Sequence, residues 1–200
     1  MLNLSEEAKR YYSAESNWQG GPIFELTMSL APEARAEEVY RFLLDRFSLL
    51  EWDKVFAEST LVRSIMAVTE DTHVGVAHYG YTSKKEPSYL HYDVGIRPSQ
   101  MERLLGEFPI PGSKWRILNK ATFKVLLELF IEIARAVHRE FPLEYATIND
   151  ETYAKIKGCS NLAQGIFIDE YFGPIIGESC KPLGGTIQLS YLPWKKQDSN

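Results

Sequence analysis

Cysteine is nearly missing from this chain. Cys159 and Cys180 are the only two in 200 residues. They lack a CxxC spacing and are too few for a four-ligand zinc site. One disulfide between them stays open as a reading, and two buried thiols are the favoured one. Long apolar runs are missing as well: none approaches the roughly 18 residues of a membrane span. The N-terminus, Met-Leu-Asn-Leu-Ser-Glu-Glu-Ala-Lys-Arg, has no apolar signal-peptide core, so a cytoplasmic location is expected. Positive charge is thin. The chain holds 22 Lys and Arg against 27 Asp and Glu, for a net charge of −5 and a pI near 5.5. No basic run is longer than a pair such as Lys84-Lys85 or Lys195-Lys196. A phosphate-binding surface needs a denser basic footprint, so a nucleic-acid partner is not expected.

Motifs that carry chemistry are absent too. There is no Gly-x-Ser-x-Gly elbow, no P-loop, no GxGxxG run and no HExxH. Gly184-Gly185 precedes a strand-like stretch, not a helix that could hold phosphate. No catalytic residue, metal ligand or cofactor is therefore assigned, and the enzyme reading is disfavoured without being excluded.

What is present is an ordinary globular composition with generous aromatics. Hydrophobic residues make up 44% and charged residues 24%, with eleven Tyr, ten Phe and four Trp. A chain of this length can bury a real core in one large domain or two small ones. The strongest pattern lies over residues 119–149. Phe123, Leu126, Leu127, Phe130, Ile133, Ala134, Val137 and Phe141 recur at spacings of three and four, which predicts a long amphipathic helix. Val125, Leu129, Ile131 and Ala136 widen its apolar surface. Asn119 is a candidate N-cap, and Pro142 ends the helix. Leu143, Tyr145 and Thr147 then alternate as a strand. His138, near the helix C-terminus, is placed where positive charge is favoured.

Elsewhere the alternation predicts strands over 23–30, 61–69, 74–81 and 89–96. Pro32 opens a helix that runs to Leu50, and Pro98 opens a shorter one. The N-terminal segment, with Tyr11, Tyr12 and Trp18, reads as a short helix or arm. Residues 150–158 read as a short helix, 164–172 as strand or helical turn, and 186–192 as a closing strand. The fold class is α+β: a mostly antiparallel mixed sheet packed on a long amphipathic helix, with ferredoxin-like halves as one option. A single domain over 1–200 is expected, with a candidate subdomain boundary at 108–118, where Phe108-Pro-Ile-Pro-Gly112 makes a rigid linker.

Two sets of residues stand out as site candidates. If the loop over 82–87 closes symmetrically, His78 faces His91 and Asp93 lies two residues along the same face, near Val76. That cluster could bind a metal, or pair a base with its orienting carboxylate. Ordinary cross-strand polar pairing is the simpler reading. The acidic pairs Asp150-Glu151 and Asp169-Glu170 are candidate interface residues, although Asp150 is also well placed to cap a helix.

The second half carries a resemblance. The apolar-striped helix is followed by Tyr145-Ala-Thr-Ile-Asn, then by Gly165-Ile-Phe-Ile-Asp-Glu-Tyr-Phe-Gly173 and Leu183-Gly-Gly-Thr-Ile-Gln-Leu189. Over residues 120–192 this layout is similar to immunity proteins of bacterial polymorphic-toxin systems, in the group cognate to restriction-endonuclease-fold toxins. The first half matches in element order alone. The resemblance implies a non-enzymatic α+β protein that blocks a toxin by binding it, and it transfers no site residues. The leading expectation is a cytosolic binding protein with a protein partner, such as a basic toxin. One alternative is a small hydrolase or metal-dependent enzyme using a His78/His91/Asp93 face. Another is a self-assembling phage or mobile-element protein.

Overall fold

The computed structural model describes residues 3–20, 24–56, 60–82, 89–105, 120–149, 165–169 and 189–193. Helices α1 (Glu6–Ser13) and α2 (Ala36–Arg46), with a 3-10 turn at Glu15–Trp18, belong to the first third. Strands β1 (Phe24–Leu30), β2 (Leu50–Phe56), β3 (Thr60–Ala67), β4 (His73–Thr82) and β5 (Leu90–Ile96) lead to α3 (Pro98–Leu105). Then come α4 (Lys120–Glu140), β6 (Leu143–Asn149), β7 (Gly165–Asp169) and β8 (Leu189–Pro193). All eight strands join one sheet in the order β2-β3-β4-β5-β1-β6-β7-β8. Only the β6–β7 pair is parallel among these neighbours. The fold is α+β. The candidate boundary at 108–118, the cap at Asn119 and the helix over 150–158 lie outside the described residues.

Local chemistry sets the ends of these elements. Ser5 caps α1, its hydroxyl accepting from the Ala8 N–H at 3.1 Å, and Glu6 and Glu7 fill the first turn. The helix expected from Pro32 begins four residues later. A turn closed by Ala34 N–H on the Ala31 carbonyl comes first, and the helix starts at Ala36. It also ends before Leu50. Ser48 takes a left-handed φ of 49° and reverses the chain, so Leu50 enters β2. The C-terminus of α4 uses His138 as an acceptor. Its Nδ1 takes the Leu143 N–H at 3.0 Å, and partial burial lowers its pKa and favours this neutral form. The ring thus serves the turn into β6 as an acceptor, rather than acting as a positive charge on the helix dipole.

The main core lies on one face of the sheet. Phe24, Leu26, Met28 and Leu30 of β1 meet Val39 and Leu43 of α2 and Leu126, Phe130, Ile133 and Val137 of α4. Phe24 stacks on Phe130 at 4.9 Å. Val125 is the one described residue of the widened α4 surface that faces solvent. No described helix is long and apolar enough to cross a membrane.

The opposite face divides in two. Over β2 and β3 it is apolar and capped by the N-terminal segment, where Leu4, Ala8, Tyr12 and Trp18 pack on Ile65. The Trp18 indole N–H donates to the Tyr12 carbonyl at 2.8 Å. Arg63 lies 5.2 Å from the Trp18 ring and makes a bidentate pair with Glu15 at 2.6 and 2.5 Å. α3 holds this segment from the side. Ser99 and Gln100 both donate to the Asn17 carbonyl, and Gln100 accepts from Gly75 N–H. Over β4, β5, β1 and β6 the same face changes character.

A candidate functional site on the polar half of the sheet

Register builds this region. Thr27 of β1 lies opposite Asp93 of β5 and Thr147 of β6, and Asp93 lies opposite Tyr79 of β4. One step along, Ser29 aligns with His91 and Tyr145, and His91 with Tyr81. One step the other way, Glu25 aligns with Gly95, which in turn faces Ala77. Side chains alternate between faces with period two, so all of these share the face away from α2 and α4. Thr27, Ser29, His91, Asp93, Tyr145 and Thr147 are buried, Glu25 and Tyr79 half-buried, and Tyr81 is 37% exposed. The result is a floor of hydroxyls, carboxyls and one imidazole in the middle of an eight-stranded sheet.

Asp93 is the centre of this floor. Burial holds its carboxyl up to about 6, against the opposing pull of hydrogen bonding with Glu25, Thr27 and Tyr81. Glu25 lies diagonally across the β1–β5 register from Asp93 and is one of its hydrogen-bonding neighbours. Asp93 Oδ1 has no hydrogen-bond partner among the described residues. Tyr81 forms the rim. Its ring stacks on His91 at 5.4 Å, and burial followed by the charges of Asp93 and Glu25 raises its phenol pKa. Ser29 Oγ lies 3.4 Å from His91 Nδ1. Chemically, a floor of carboxyl, hydroxyl and imidazole groups can exchange a proton and hydrogen-bond polar groups.

The expected His78/His91/Asp93 cluster is not formed. The β4–β5 hairpin pairs His78 with Val94 and Tyr81 with His91, three residues away from the symmetric register. An odd shift sends His78 to the opposite face. There it is buried under α2, with Ser64 Oγ 2.7 Å from Nε2 and the Tyr92 hydroxyl 3.2 Å from Nδ1. Tyr40 packs edge-on against it at 5.1 Å. Burial pushes the His78 imidazole down to about 3, so it is neutral. His91 and Asp93 do share a face. Leu90, Tyr92 and Val94 share the helix face with His78. Among the described residues, no three His, Cys, Asp or Glu side chains are arranged to hold a metal ion. Asp150, Glu151 and Glu170 lie outside the described residues, and Asp169 ends β7.

Glu25, Thr27, Ser29, Tyr81 and Thr147 were not singled out by sequence. For the first three the signal was the polar alternation of 23–30, which reads as the solvent-facing side of a strand. It becomes a site only once β1 is known to sit between β5 and β6. A separate cleft of about 400 Å³ opens between the start of α1, the β3–β4 turn and α3. Asn3, Ser5, Glu70, Asp71 and Arg103 around it all face solvent. It lacks the buried polar groups that mark the floor. No family model, curated protein or solved structure matches this chain.

Proposed function

We propose that this chain is a non-enzymatic binding protein that neutralises a basic protein partner by direct contact, as an immunity or inhibitor protein does. One observation carries the reading: a buried carboxyl, Asp93, is kept beside Glu25 in the middle of the sheet with an aromatic rim. Buried polar groups cost stability when they are only partly satisfied, and chains keep them where recognition requires them. The net charge of −5 favours fast association with a positively charged partner. The resemblance of residues 120–192 to toxin-immunity proteins points the same way. The test is co-expression with the product of the neighbouring gene. The expected result is rescue of growth and a one-to-one complex on gel filtration that weakens with salt. A toxic neighbour whose action continues unchanged, with no complex formed, overturns the reading.

A second reading is a hydrolase in which Asp93 and Glu25 act as acid and base. The carboxyl held near 6 beside another carboxyl favours it, since a proton donor works best near the ambient pH. Turnover of ester, phosphoester or glycoside reporters that disappears in both D93N and E25Q would establish it. Turnover unaffected by either change would remove it.

A further inference from the structure

We infer that the cleft between α1, the β3–β4 turn and α3 binds a small zwitterion of the free amino-acid class, with Arg103 taking its carboxylate and Glu70 and Asp71 its ammonium group. The inference goes beyond the binding role proposed above and does not depend on it. Both signs of charge line this one cleft of about 400 Å³. Arg103 comes from α3, and Glu70 and Asp71 come from the turn between β3 and β4. Among the described residues, none of the three makes an ion pair. Opposite charges that line one cleft without reaching each other leave a gap that a molecule carrying both charges can span. A lone anion would sit beside Glu70 and Asp71, and a lone cation beside Arg103, so each would meet a like charge.

The walls of the cleft hold these charges in place. The Arg103 guanidinium lies 4.2 Å from the centre of the Tyr11 ring and 5.2 Å from that of Tyr12. Tyr11 is itself fixed, because its hydroxyl donates to the Ser99 carbonyl at 2.9 Å and Asn17 Nδ2 donates to its own carbonyl at 2.8 Å. A guanidinium restrained by ring faces loses less freedom when its planar fork takes a carboxylate. The turn that carries the two acids is held as well. The Val68 and Thr69 N–H groups both donate to the Thr72 carbonyl, at 2.8 and 3.2 Å. Ala8 and Leu104 are buried and give the cleft an apolar part. Its volume is near the low end for ligand pockets, roughly 300–1,000 Å³, which suits a small metabolite better than a large cofactor.

The experiment is calorimetric titration of the full chain at neutral pH with glycine, L-leucine, 4-aminobutyrate and 6-aminohexanoate, which vary the charge spacing and the apolar part. At least one should bind with a Kd on the order of 1 mM or tighter. Acetylating its amine, or converting its carboxylate to the amide, should weaken binding roughly tenfold or more, because each change removes one charged contact. R103Q should show the same loss. So should E70Q/D71N, which leaves the ring contacts of Arg103 intact. That double variant decides the question if R103Q disturbs α1 in thermal melting. R41Q, which breaks an exposed ion pair with Glu37 on α2, should bind as wild type does. Binding of none of the probes, equal binding of the blocked compounds, unchanged binding in E70Q/D71N, or the same loss in R41Q overturns the inference.

Discussion

Ser64 Oγ and His78 Nε2 lie 2.7 Å apart, and both residues are sealed from solvent beneath α2. The spacing is that of a nucleophile and its base, but no substrate can reach it. The pair works structurally. With the Tyr92 hydroxyl on the other ring nitrogen, it ties β3, β4 and β5 together on the helix face.

Acid should therefore loosen the protein through His78. Its pKa falls from 6.5 in the unfolded chain to about 3 when folded. The unfolded state binds the proton first, so the stability this neutral ring supplies is present above pH 6.5 and drains away as pH falls toward 3. Urea unfolding between pH 7.5 and 4 should show a declining midpoint. In H78N the His78 share of that decline should disappear, while stability at pH 7.5 drops by about 1–3 kcal/mol from the disturbed Ser64 and Tyr92 partners. An acid limb as steep in H78N as in wild type contradicts this assignment.

Asp93 should act with the opposite sign. Its pKa rises from 3.8 to about 6 on folding, so its favourable contribution is present below pH 3.8 and is lost as pH rises through 6. D93N should raise the melting temperature at pH 8 relative to wild type. The gain is at most about 3 kcal/mol, the value of a two-unit shift. At pH 4 the two proteins should differ far less. A D93N protein that is less stable at pH 8 than at pH 4, relative to wild type, would show that the carboxylate is stabilising when ionised.

A methyl group at position 80 should displace α2. A Cβ placed on Gly80 would stand 2.3 Å from the Ala36 Cβ, at the first turn of that helix. Neither atom is the end of a flexible chain, so the helix must move. G80A should cost about 1–3 kcal/mol, the usual range for overpacking. Denaturant unfolding measures it, and a neutral G80A would mean that α2 does not press on β4 as described.

Removing the Trp18 side chain should open the N-terminal cap. The indole fills the space over Gly75 and is buried with Tyr12 and Ile65. W18A should lose about 3–5 kcal/mol if the cap is part of the cooperative unit. Hydrogen exchange separates two outcomes. Loss of protection confined to α1 and β2 means a locally docked cap, and loss across β1 and β5 means a global one.

Much of this architecture was legible in sequence. The spacing of Phe123, Leu126, Phe130 and Val137 identified α4, and alternation located β1, β3, β4, β5 and β6 within a few residues. β2 was hidden because Leu50 continues the apolar stripe of α2. Only the left-handed backbone at Ser48 separates helix from strand, and serine gives less warning of that than glycine. The floor was hidden for a different reason. Thr27 and Ser29 look like the wet side of a strand until β6 closes the second edge of β1. Which face His78 takes depended on a loop register that no local pattern specifies.

The place of β1 between β5 and β6 also bears on how the chain comes off the ribosome. The partners of one β1 edge, from Leu90 to Ile96, emerge well before those of the other edge, from Leu143 to Asn149. Any sheet that forms in that interval has β1 at its edge, with Glu25, Thr27 and Ser29 among its unpaired backbone groups. Their polarity keeps that waiting edge less adhesive than an all-valine strand would be. The same side chains that later line the floor thus guard the chain while it is still being made.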